Sequence, residues 1–276
     1  MHNLNPDIVG VTESWTCDSI VDAELELEGY NVFRKDRPTD NRGGGVLLYV
    51  RRSLAAYEVQ QKTEFPEHIW CRLMTAGGSE LLIGVCYRTT SESIFGKDYQ
   101  SLLNDLFVEV NKKNVLIMGD FNYGDIDWPN HRLLPSASLD SRQFFECIDD
   151  NFYIQHVLQP TRDDSILDLV FSLESDLISD MRVIDNLATS DHNMLIWNIH
   201  TDARVKSQML PKITFDYSKA RFDKINRELL AVDWNSVLGG GTCEMWNIFK
   251  GILQSLETKY VPKKTEMLQG NINQCG

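Results

Sequence analysis

The amino-acid sequence predicts an α/β fold in which packed β-sheets carry helices on their outer faces. Short β-rich runs recur with turns between them through the first 200 residues, and only two helical stretches interrupt these runs. Hydrophobic residues make up 42% of the 276 residues and charged residues 24%, as in ordinary globular proteins with a sizeable core. Many strands with few helices indicate sheets that pack on one another.

The predicted strands are short apolar runs bounded by turn residues. In chain order they cover residues 7–13, 30–34, 46–51, 69–74, 81–87, 115–118, 167–171, 181–184 and 194–199. One helix is predicted over residues 99–108, where apolar residues recur at helical spacing, and another opens at Asp140 or Ser141 as its cap. Gly43-Gly44-Gly45 predicts a tight turn and not a P-loop, because no Gly-Lys-Ser/Thr follows.

The sequence changes character after His200, where two helices are predicted, over residues 217–233 and 244–260, and no strand. We therefore predict a first domain of residues 1–200 and a helical, linker-like region of residues 201–276. The second helix carries an apolar stripe that is typical of a core or a docking face and predicts no catalytic role. It comprises Trp246, Phe249, Leu253, Leu256 and Tyr260.

The formal net charge of −13 argues against a nucleic-acid partner, because such binding normally depends on Lys and Arg that neutralise phosphates. Basic residues nevertheless cluster between positions 34 and 52. A solvated hairpin rim explains that cluster as well as a DNA-binding surface does. The cluster comprises Arg34, Lys35, Arg37, Arg42, Arg51 and Arg52.

Targeting and redox signals favour an intracellular protein without membrane contact. No apolar run approaches the ~20 residues that a membrane helix needs. The N-terminus lacks the basic start and apolar core of a signal peptide. The six cysteines form no C-x-x-C pair, and several lie inside apolar runs, as expected of buried, reduced thiols.

Chemically active side chains stand at the ends of predicted strands, where an α/β sandwich opens to solvent. Glu13 ends the first strand and is a hard oxygen ligand suited to Mg²⁺ or Mn²⁺, although a Glu there is more often a surface residue. Asp120 and Asn122 share one face of an extended segment. They can take a proton from water and hold a phosphate oxygen, or close the strand as an Asx turn.

A third group precedes the strand at residues 194–199. His192 can present an imidazolium to a phosphoryl oxygen if a carboxylate holds its other ring nitrogen. Asp168 is the candidate for that carboxylate, because an acid within an otherwise apolar strand needs a partner if it is buried. Each of the four segments, around Glu13, around Asp120 and Asn122, at Asp168 and at His192, has a structural explanation alone, but together in this order they indicate an active site.

Five phrases resemble, in order and spacing, the apurinic/apyrimidinic-endonuclease-like domain of LINE-type non-LTR retrotransposons, within the endonuclease/exonuclease/phosphatase superfamily. They are residues 6–15, residues 43–50, Gly119-Asp120-Phe121-Asn122-Tyr123, Leu167-Asp168-Leu169-Val170-Phe171 and Ser190-Asp191-His192-Asn193. The resemblance covers roughly residues 6–200. Residues 125–128 and 159–162 resemble the CR1 or Jockey branch, and the tail resembles the linker before the reverse transcriptase in those polyproteins.

The resemblance implies a four-layered α/β sandwich, with two packed mixed β-sheets flanked by helices. It also implies a divalent-metal-dependent endonuclease that nicks DNA to leave a 3′-hydroxyl, uses Mg²⁺ or Mn²⁺ and has access to the nucleus. Superfamily phosphatases that act on inositol lipids and sphingomyelin are a less favoured alternative, because the branch-specific phrases point to the retrotransposon enzymes.

The resemblance also assigns roles to individual residues. Glu13 would bind the metal, with Asp191 close enough to contribute, and Asp120 would orient or deprotonate the attacking water. Asn122 would hold the scissile phosphate, and His192, braced by Asp168, would stabilise charge on phosphorus. Tyr87 matches a family tyrosine that contacts phosphate, although a buried strand-end tyrosine explains it nearly as well. The DNA-binding candidates are Arg34, Arg37, Arg42 and Arg162.

The sequence departs from the family pattern at its start, where family members have a further central strand that carries an active-site Asn. Without it, neighbouring strands would expose backbone groups, which favours aggregation or rescue by a partner strand. An inactive fragment that retains the fold is therefore the second hypothesis, against which the survival of all the candidate site residues argues. We also expect no reverse transcriptase domain in this chain, which has no Tyr/Phe-x-Asp-Asp motif.

Overall fold

A computed structural model describes residues 4–37, 43–76, 78–90, 99–112, 114–203, 212–239 and 242–266. The backbone divides into two compact units, Met1–Val205 and Lys206–Gly276. Among the residues described, no helix is long and apolar enough to cross a membrane.

The first unit alternates strands and helices in an order typical of an α/β protein. Its strands are β1 (Ile8–Thr12), β2 (Tyr30–Lys35), β3 (Val46–Arg51), β4 (Ala56–Glu58), β5 (His68–Met74), β6 (Glu80–Tyr87), β7 (Val115–Asp120), β8 (Ile126–Asp127), β9 (Arg132–Leu133), β10 (Ile154–Gln155), β11 (Asp168–Ser172), β12 (Ile178–Ile184) and β13 (Met194–Ile199). Its helices are α1 (Tyr99–Val110) and α2 (Leu139–Asp150). Ser138 caps α2, since its hydroxyl accepts a hydrogen bond from the amide of Ser141.

A six-stranded mixed sheet forms the centre of the first unit. Its strand order is β10-β11-β7-β6-β5-β4. Strands β6 and β7 are parallel, and the other neighbours are antiparallel. The strands β5, β6 and β7 are buried along most of their length, which explains their nearly continuous apolar sequences.

A three-stranded antiparallel sheet, β1-β3-β2, packs against one face of the six-stranded sheet. The contact is close at Gly10 of β1, where a Cβ atom would lie 2.8 Å from Met118 Sδ and 3.0 Å from Val85 Cγ2. Successive side chains of a strand point to opposite faces, so Met118 and Val85 mark the face of β7 and β6 that looks toward β1.

The helices α1 and α2 cover the opposite face of the six-stranded sheet. Phe107 of α1 and Phe144 of α2 both pack edge-on against Phe171 of β11, with ring centroids 5.5 Å and 6.0 Å away. Offset and edge-to-face contacts of this kind add specificity to the apolar burial. The expected sandwich of packed sheets with helices outside is thus confirmed.

Strands β12 and β13 form a separate two-stranded sheet. The apolar residues Leu195, Trp197 and Ile199 of β13 pack against the same core as the other sheets. Within the described residues, β13 pairs only with β12, and β1 pairs only with β3. Each of these two strands therefore presents one unpaired edge.

The second unit is mainly helical. It contains α3 (Phe222–Ala231), α4 (Trp234–Val237) and α5 (Thr242–Tyr260), which confirms the two predicted helices with shorter bounds for the first. It also contains an antiparallel pair of strands, β14 (Lys212–Phe215) and β15 (Lys263–Glu266), where no strand was predicted. The lysine-rich sequence of β15 lacks the apolar alternation from which strands are predicted.

Cys17, Cys71, Cys86 and Cys147 are free thiols. Cys71, Cys86 and Cys147 are buried, whereas Cys17 is exposed, so the expectation of burial is wrong for that residue.

Candidate active site

Three predicted site residues stand in one row across the six-stranded sheet. In the strand register, Tyr87 of β6 is opposite Asp120 of β7, and Asp120 is opposite Asp168 of β11. Residues opposite one another share a face, and this is the face that carries Met118 and Val85 toward β1. Tyr87 and Asp120 end parallel strands and Asp168 begins an antiparallel one, so the row lies at one end of the sheet.

Asp120 is the most buried acid of the row, with 3% of its surface exposed. Asn122 donates a hydrogen bond to each carboxylate oxygen of Asp120. Its backbone N–H donates to Oδ1 (3.1 Å), and its side-chain Nδ2 donates to Oδ2 (2.9 Å). Burial and the nearby charge of Asp168 raise the pKa of Asp120 to about 7, against the opposing effect of His192. Asp120 is therefore poised to accept a proton near neutral pH.

The backbone around Asp120 can be this crowded because the preceding residue is glycine. A Cβ atom at Gly119 would lie 1.8 Å from the carbonyl oxygen of Cys86. Asn122 adopts a left-handed conformation with φ of 55°, which lets its side chain turn back to Asp120. Asn tolerates that conformation better than most residues.

His192 and Asp168 form the predicted pair. Nδ1 of His192 lies 2.8 Å from Oδ2 of Asp168, and both side chains are mostly buried. This hydrogen bond raises the pKa of His192, although burial acts in the opposite direction. Because Nδ1 is occupied by Asp168, Nε2 is the nitrogen that can donate to a substrate oxygen.

Glu13 follows β1 and reaches the same end of the sheet. The hydroxyl of Tyr87 donates a hydrogen bond to Oε1 of Glu13, and the indole of Trp15 donates to Oε2 at 3.3 Å. Burial and the hydrogen bond to Glu13 raise the pKa of Tyr87, so the phenol stays protonated as a donor. The structure thus connects Glu13 to the row through Tyr87.

The donor atoms of the site converge closely enough to hold a cation. Within the part of the chain that the structure describes, ligand atoms of Asp120, Asp168 and His192 lie within 4.8 Å of one another, and the two carboxylates can hold a cation while His192 keeps its proton. Glu13 adds a further negative charge that raises the pKa of Asp120. A divalent cation would relieve this repulsion between buried carboxylates, so the donor set fits one.

Asp191 lies at the outer edge of the site, where Arg162 binds it. Arg162 Nη2 lies 2.6 Å from Asp191 Oδ2, and both side chains are substantially exposed. Metal binding by Asp191 and DNA binding by Arg162 were predicted separately, but in the structure the two side chains form an ion pair with each other.

The predicted basic surface is different from what its sequence suggests. Arg34 bonds to Asp36, to Asp22 and to the carbonyl of Ile20, and only 18% of its side chain is exposed. Arg37 is 6% exposed and pairs with the fully buried Glu67. Direct DNA binding by Arg37 stays a prediction, and its guanidinium is engaged by Glu67 in the structure. Arg42 lies outside the described residues.

Three further residues shape the site without having been predicted from the sequence. Thr161 is fully buried, and its hydroxyl oxygen accepts hydrogen bonds from the amides of Leu167 and Asp168 at 3.1 Å each. Arg88 donates its amide to the carbonyl of Asp120, and its own carbonyl accepts Nδ2 of Asn122. Glu67 is the third. Sequence position could have indicated two of them: Thr161 precedes Asp168 by seven residues, and Arg88 directly follows Tyr87.

The comparisons with known proteins agree with this geometry. The model of the endonuclease/exonuclease/phosphatase family matches residues 1–192. The endonuclease domain of TRAS1, a telomere-specific non-LTR retrotransposon, is similar in structure, with a TM-score of 0.54, 17% identity and coverage of 73% of this chain and 88% of that one. No curated protein sequence matches the chain.

Two further solved structures are also similar to this chain. The AP endonuclease LMAP from Leishmania major has a TM-score of 0.59 at 12% identity, over 72% of this chain and 80% of that one. The catalytic domain of Xenopus laevis APE2 has a TM-score of 0.53 at 15% identity, over 75% and 87%. At these identities the likeness establishes the fold alone.

Proposed function

The chain belongs to the endonuclease/exonuclease/phosphatase family, and from this premise we propose that it hydrolyses DNA phosphodiester bonds as a divalent-metal-dependent endonuclease of the retrotransposon type. The observation that carries the proposal is the row of Tyr87, Asp120 and Asp168, with Asn122 bound to Asp120 and His192 bound to Asp168. The row places a proton acceptor beside an imidazole that favours its charged form.

Asp120 accepts the proton in the proposed reaction. Burial and the neighbouring charge of Asp168 raise its pKa, so this carboxylate accepts a proton more readily than an ordinary aspartate. The oxygen of a water molecule attacks phosphorus while its proton passes to the carboxylate of Asp120. The bond between phosphorus and the 3′ oxygen breaks, and that oxygen takes a proton from solvent, which leaves a 3′-hydroxyl and a 5′-phosphate.

His192 supplies positive charge where the phosphoryl oxygens become more negative. Asp168 fixes its ring through Nδ1, so Nε2 donates to one of these oxygens. Asn122 keeps Asp120 in position, because its Nδ2 donates to Asp120 and to the carbonyl of Arg88. These two bonds use both hydrogens of Nδ2, so a direct phosphate contact, as first expected for Asn122, would have to replace one of them.

The proposed cofactor is Mg²⁺ or Mn²⁺. We assign it to Glu13 with help from Asp191, next to the carboxylates of Asp120 and Asp168. When bound, the ion would stabilise negative charge on the phosphoryl group as a Lewis acid. Tyr87 has two proposed tasks that exclude one another at any moment, since its single hydroxyl hydrogen goes either to Glu13 or to a phosphate oxygen.

DNA is the proposed substrate for two reasons. The structural neighbours named above are a retrotransposon endonuclease and AP endonucleases, and the branch-specific sequence phrases point to the same group. Of the predicted DNA-binding arginines that the structure describes, Arg162 has the most exposed side chain, at 41%, and can therefore meet the DNA backbone. A DNA target also underlies the proposal of nuclear access.

The experiment that tests this function is nicking of supercoiled plasmid by the full chain, with Mg²⁺ and with Mg²⁺ removed by EDTA. We expect metal-dependent nicked circles, and loss of nicking in Asp120→Ala and His192→Ala. Inositol phosphates and sphingomyelin offered under the same conditions should release no phosphate or phosphocholine. Hydrolysis of those substrates, with an intact plasmid, would overturn the proposal.

A second candidate function is an inactive protein that retains the fold. Among the described residues no strand pairs with the second edge of β1 or of β13, and the family pattern includes a further strand with an active-site Asn; together these favour this candidate. Folded protein that leaves plasmid intact, but nicks it once a family first strand is fused to its N-terminus, would favour this candidate over an active enzyme.

A further inference from the structure

A buried ion pair lies behind Glu13 and has no part in the chemistry proposed above. Arg37 Nε lies 3.1 Å from Glu67 Oε1, and Arg37 Nη2 lies 3.1 Å from Glu67 Oε2, a bidentate arrangement. The side chain of Glu67 is fully buried. Buried ion pairs of this kind contribute little net stability, because desolvation offsets their attraction, so the pair requires another explanation.

The pair holds the glycine turn of residues 43–45. Glu67 Oε1 accepts a hydrogen bond from the amide of Gly45 at 2.8 Å. A Cβ atom at Gly44 would lie 2.1 Å from Glu67 Oε1 and 2.3 Å from Arg37 Nη2, so the ion pair packs directly on the Gly44 backbone. Gly44 has φ of 70° and Gly45 of 79°, a conformation that glycine adopts without strain.

The glycine turn in turn holds the segment that carries Glu13. The amide of Ser14 donates to the carbonyl of Gly45 at 3.2 Å, and the amide of Trp15 donates to the carbonyl of Gly44 at 2.9 Å. Glu13 and Trp15 are both left-handed, with φ of 49° and 55°, which is unfavourable for residues with a side chain. The surrounding structure must therefore impose this conformation, and the hydrogen bonds from the amides of Ser14 and Trp15 help to impose it.

Glu67 and Arg37 also contact Tyr87, which binds the carboxylate of Glu13. The carbonyl oxygen of Glu67 accepts the amide of Tyr87 at 2.9 Å, and the guanidinium carbon of Arg37 lies 5.9 Å from the centroid of the Tyr87 ring. The hydroxyl of Tyr87 donates to Glu13. The backbone next to Glu13 and its carboxylate are thus both tied to the same two residues.

We propose that Glu67 and Arg37 are positioning residues that fix the carboxylate of Glu13 for divalent-cation binding, through the glycine turn and through Tyr87. The cation-binding part of this inference rests on the proposed function; the positioning part does not. Substitution of a residue that hydrogen-bonds to a metal ligand and holds it in place commonly lowers metal affinity by about 10-fold to 100-fold.

The test compares the full chain with Glu67→Gln, which keeps the size of the side chain and removes its charge. Hydrogen exchange of the Ser14 and Trp15 amides is followed by mass spectrometry of peptides from this segment. We expect exchange there to quicken about 10-fold, because two hydrogen bonds lose their support, while β7 and β11 stay protected. Mn²⁺ affinity, measured by electron paramagnetic resonance, should fall about 10-fold or more.

Glu80→Gln is the matched control. It removes the charge of an acid that pairs with Arg72 on neighbouring strands of the same sheet, away from the glycine turn. We expect unchanged exchange at Ser14 and Trp15 and unchanged Mn²⁺ affinity. If Glu80→Gln changes both as Glu67→Gln does, the effect is a general loss of stability and the proposal is overturned.

Arg37→Lys covers the case in which Glu67→Gln does not fold. This variant keeps the positive charge and loses the bidentate bond and the contact with the Tyr87 ring. Faster exchange at Ser14 and Trp15 supports the proposal, and unchanged exchange in a folded variant overturns it. Wild-type protein that binds no Mn²⁺ would contradict the cation-binding part and the proposed function, whereas the exchange result would still decide whether the pair positions the Glu13 segment.

Discussion

At the scale of single residues, the site depends on pairs in which one side chain fixes another. Asp168 fixes His192 through one ring nitrogen and Asn122 fixes both oxygens of Asp120. The sequence predicted the Asp168–His192 pair because a buried acid in an apolar strand needs a partner. It placed Asn122 beside Asp120 on one extended segment, but β7 ends at Asp120 and Asn122 is left-handed. The backbone amide of Asn122 donates to the Asp120 carboxylate, which is the Asx turn that the sequence also allowed.

The first prediction concerns the brace on His192. Asp168→Asn keeps the shape of the side chain but weakens its hold on the imidazole, so we expect the rate of plasmid nicking at saturating DNA to fall about 10-fold to 100-fold. The measurement is the initial rate of nicking with Mg²⁺, beside circular dichroism to verify the fold. Asp127→Asn, which affects a carboxylate bonded to Arg132 and Asn130 outside the row, should nick at the wild-type rate. Equal rates for both variants would contradict a bracing role for Asp168.

The second prediction concerns His68, which lies in β5 opposite Cys86, the residue before Tyr87. Burial lowers its pKa to about 4, and its Nδ1 accepts a hydrogen bond from the indole of Trp70 at 2.6 Å. A histidine whose pKa is lower in the folded state than in the unfolded state stabilises the fold. This contribution to the free energy of unfolding is complete above the unfolded pKa of about 6.5 and is lost as the pH falls toward 4. We expect the free energy of unfolding to decrease by up to about 3 kcal/mol over that range on account of His68.

Urea unfolding between pH 4 and pH 7.5 measures this effect. In His68→Gln the part of the pH dependence that His68 causes should disappear, so its curve should be flatter than that of the wild type between pH 4 and 6.5. A wild-type slope in His68→Gln would show that His68 does not titrate in this way.

At the scale of elements, the longer strands and both helices of the first unit could be predicted because apolar periodicity identifies elements of five residues or more. Strands β8, β9 and β10 have two residues each and β4 has three, too short to show a period. Their pairing follows from the tertiary structure. The neighbours and register of each strand could not be predicted either, because they depend on contacts between residues far apart in the sequence.

The third prediction tests how closely β6 and β7 approach. Gly119→Ala would put a methyl group 1.8 Å from the carbonyl oxygen of Cys86, so the two strands would have to separate at the row. We expect a loss of about 3 kcal/mol or more in the free energy of unfolding, or no folded protein. The control is Gly124→Ala, whose methyl group would meet its nearest neighbour at 3.5 Å. Urea unfolding of both variants gives the comparison, and similar stabilities would contradict the close approach.

At the scale of the whole molecule, the sequence placed the site residues in one region but could not show what lies behind them. Glu67 and Arg37 are 30 residues apart, and neither belongs to a phrase that carries the family resemblance. Arg37 instead resembled part of a basic surface. Charge in a sequence does not say whether a side chain faces solvent, and here the guanidinium is buried.

The fourth prediction concerns the division into two units. All the described residues of the proposed site belong to the unit that ends at Val205, so we propose that this unit carries the activity by itself. A chain of residues 1–205 should unfold cooperatively in urea and should nick plasmid at the rate of the full chain, with the same dependence on Mg²⁺. A soluble, folded product without nicking activity would show that residues 206–276 are needed for the reaction.

The row of Tyr87, Asp120 and Asp168 is built on the hydrogen-bond lattice of a β-sheet. Neighbouring strands lie about 4.8 Å apart, whatever their side chains. Evolution can exchange the chemical group at each lattice point by one substitution, but it cannot shift a point gradually, because a slip of one residue turns every side chain of that strand to the other face. Enzymes with different substrates can therefore share these positions while the spacing of their reactive groups stays constant.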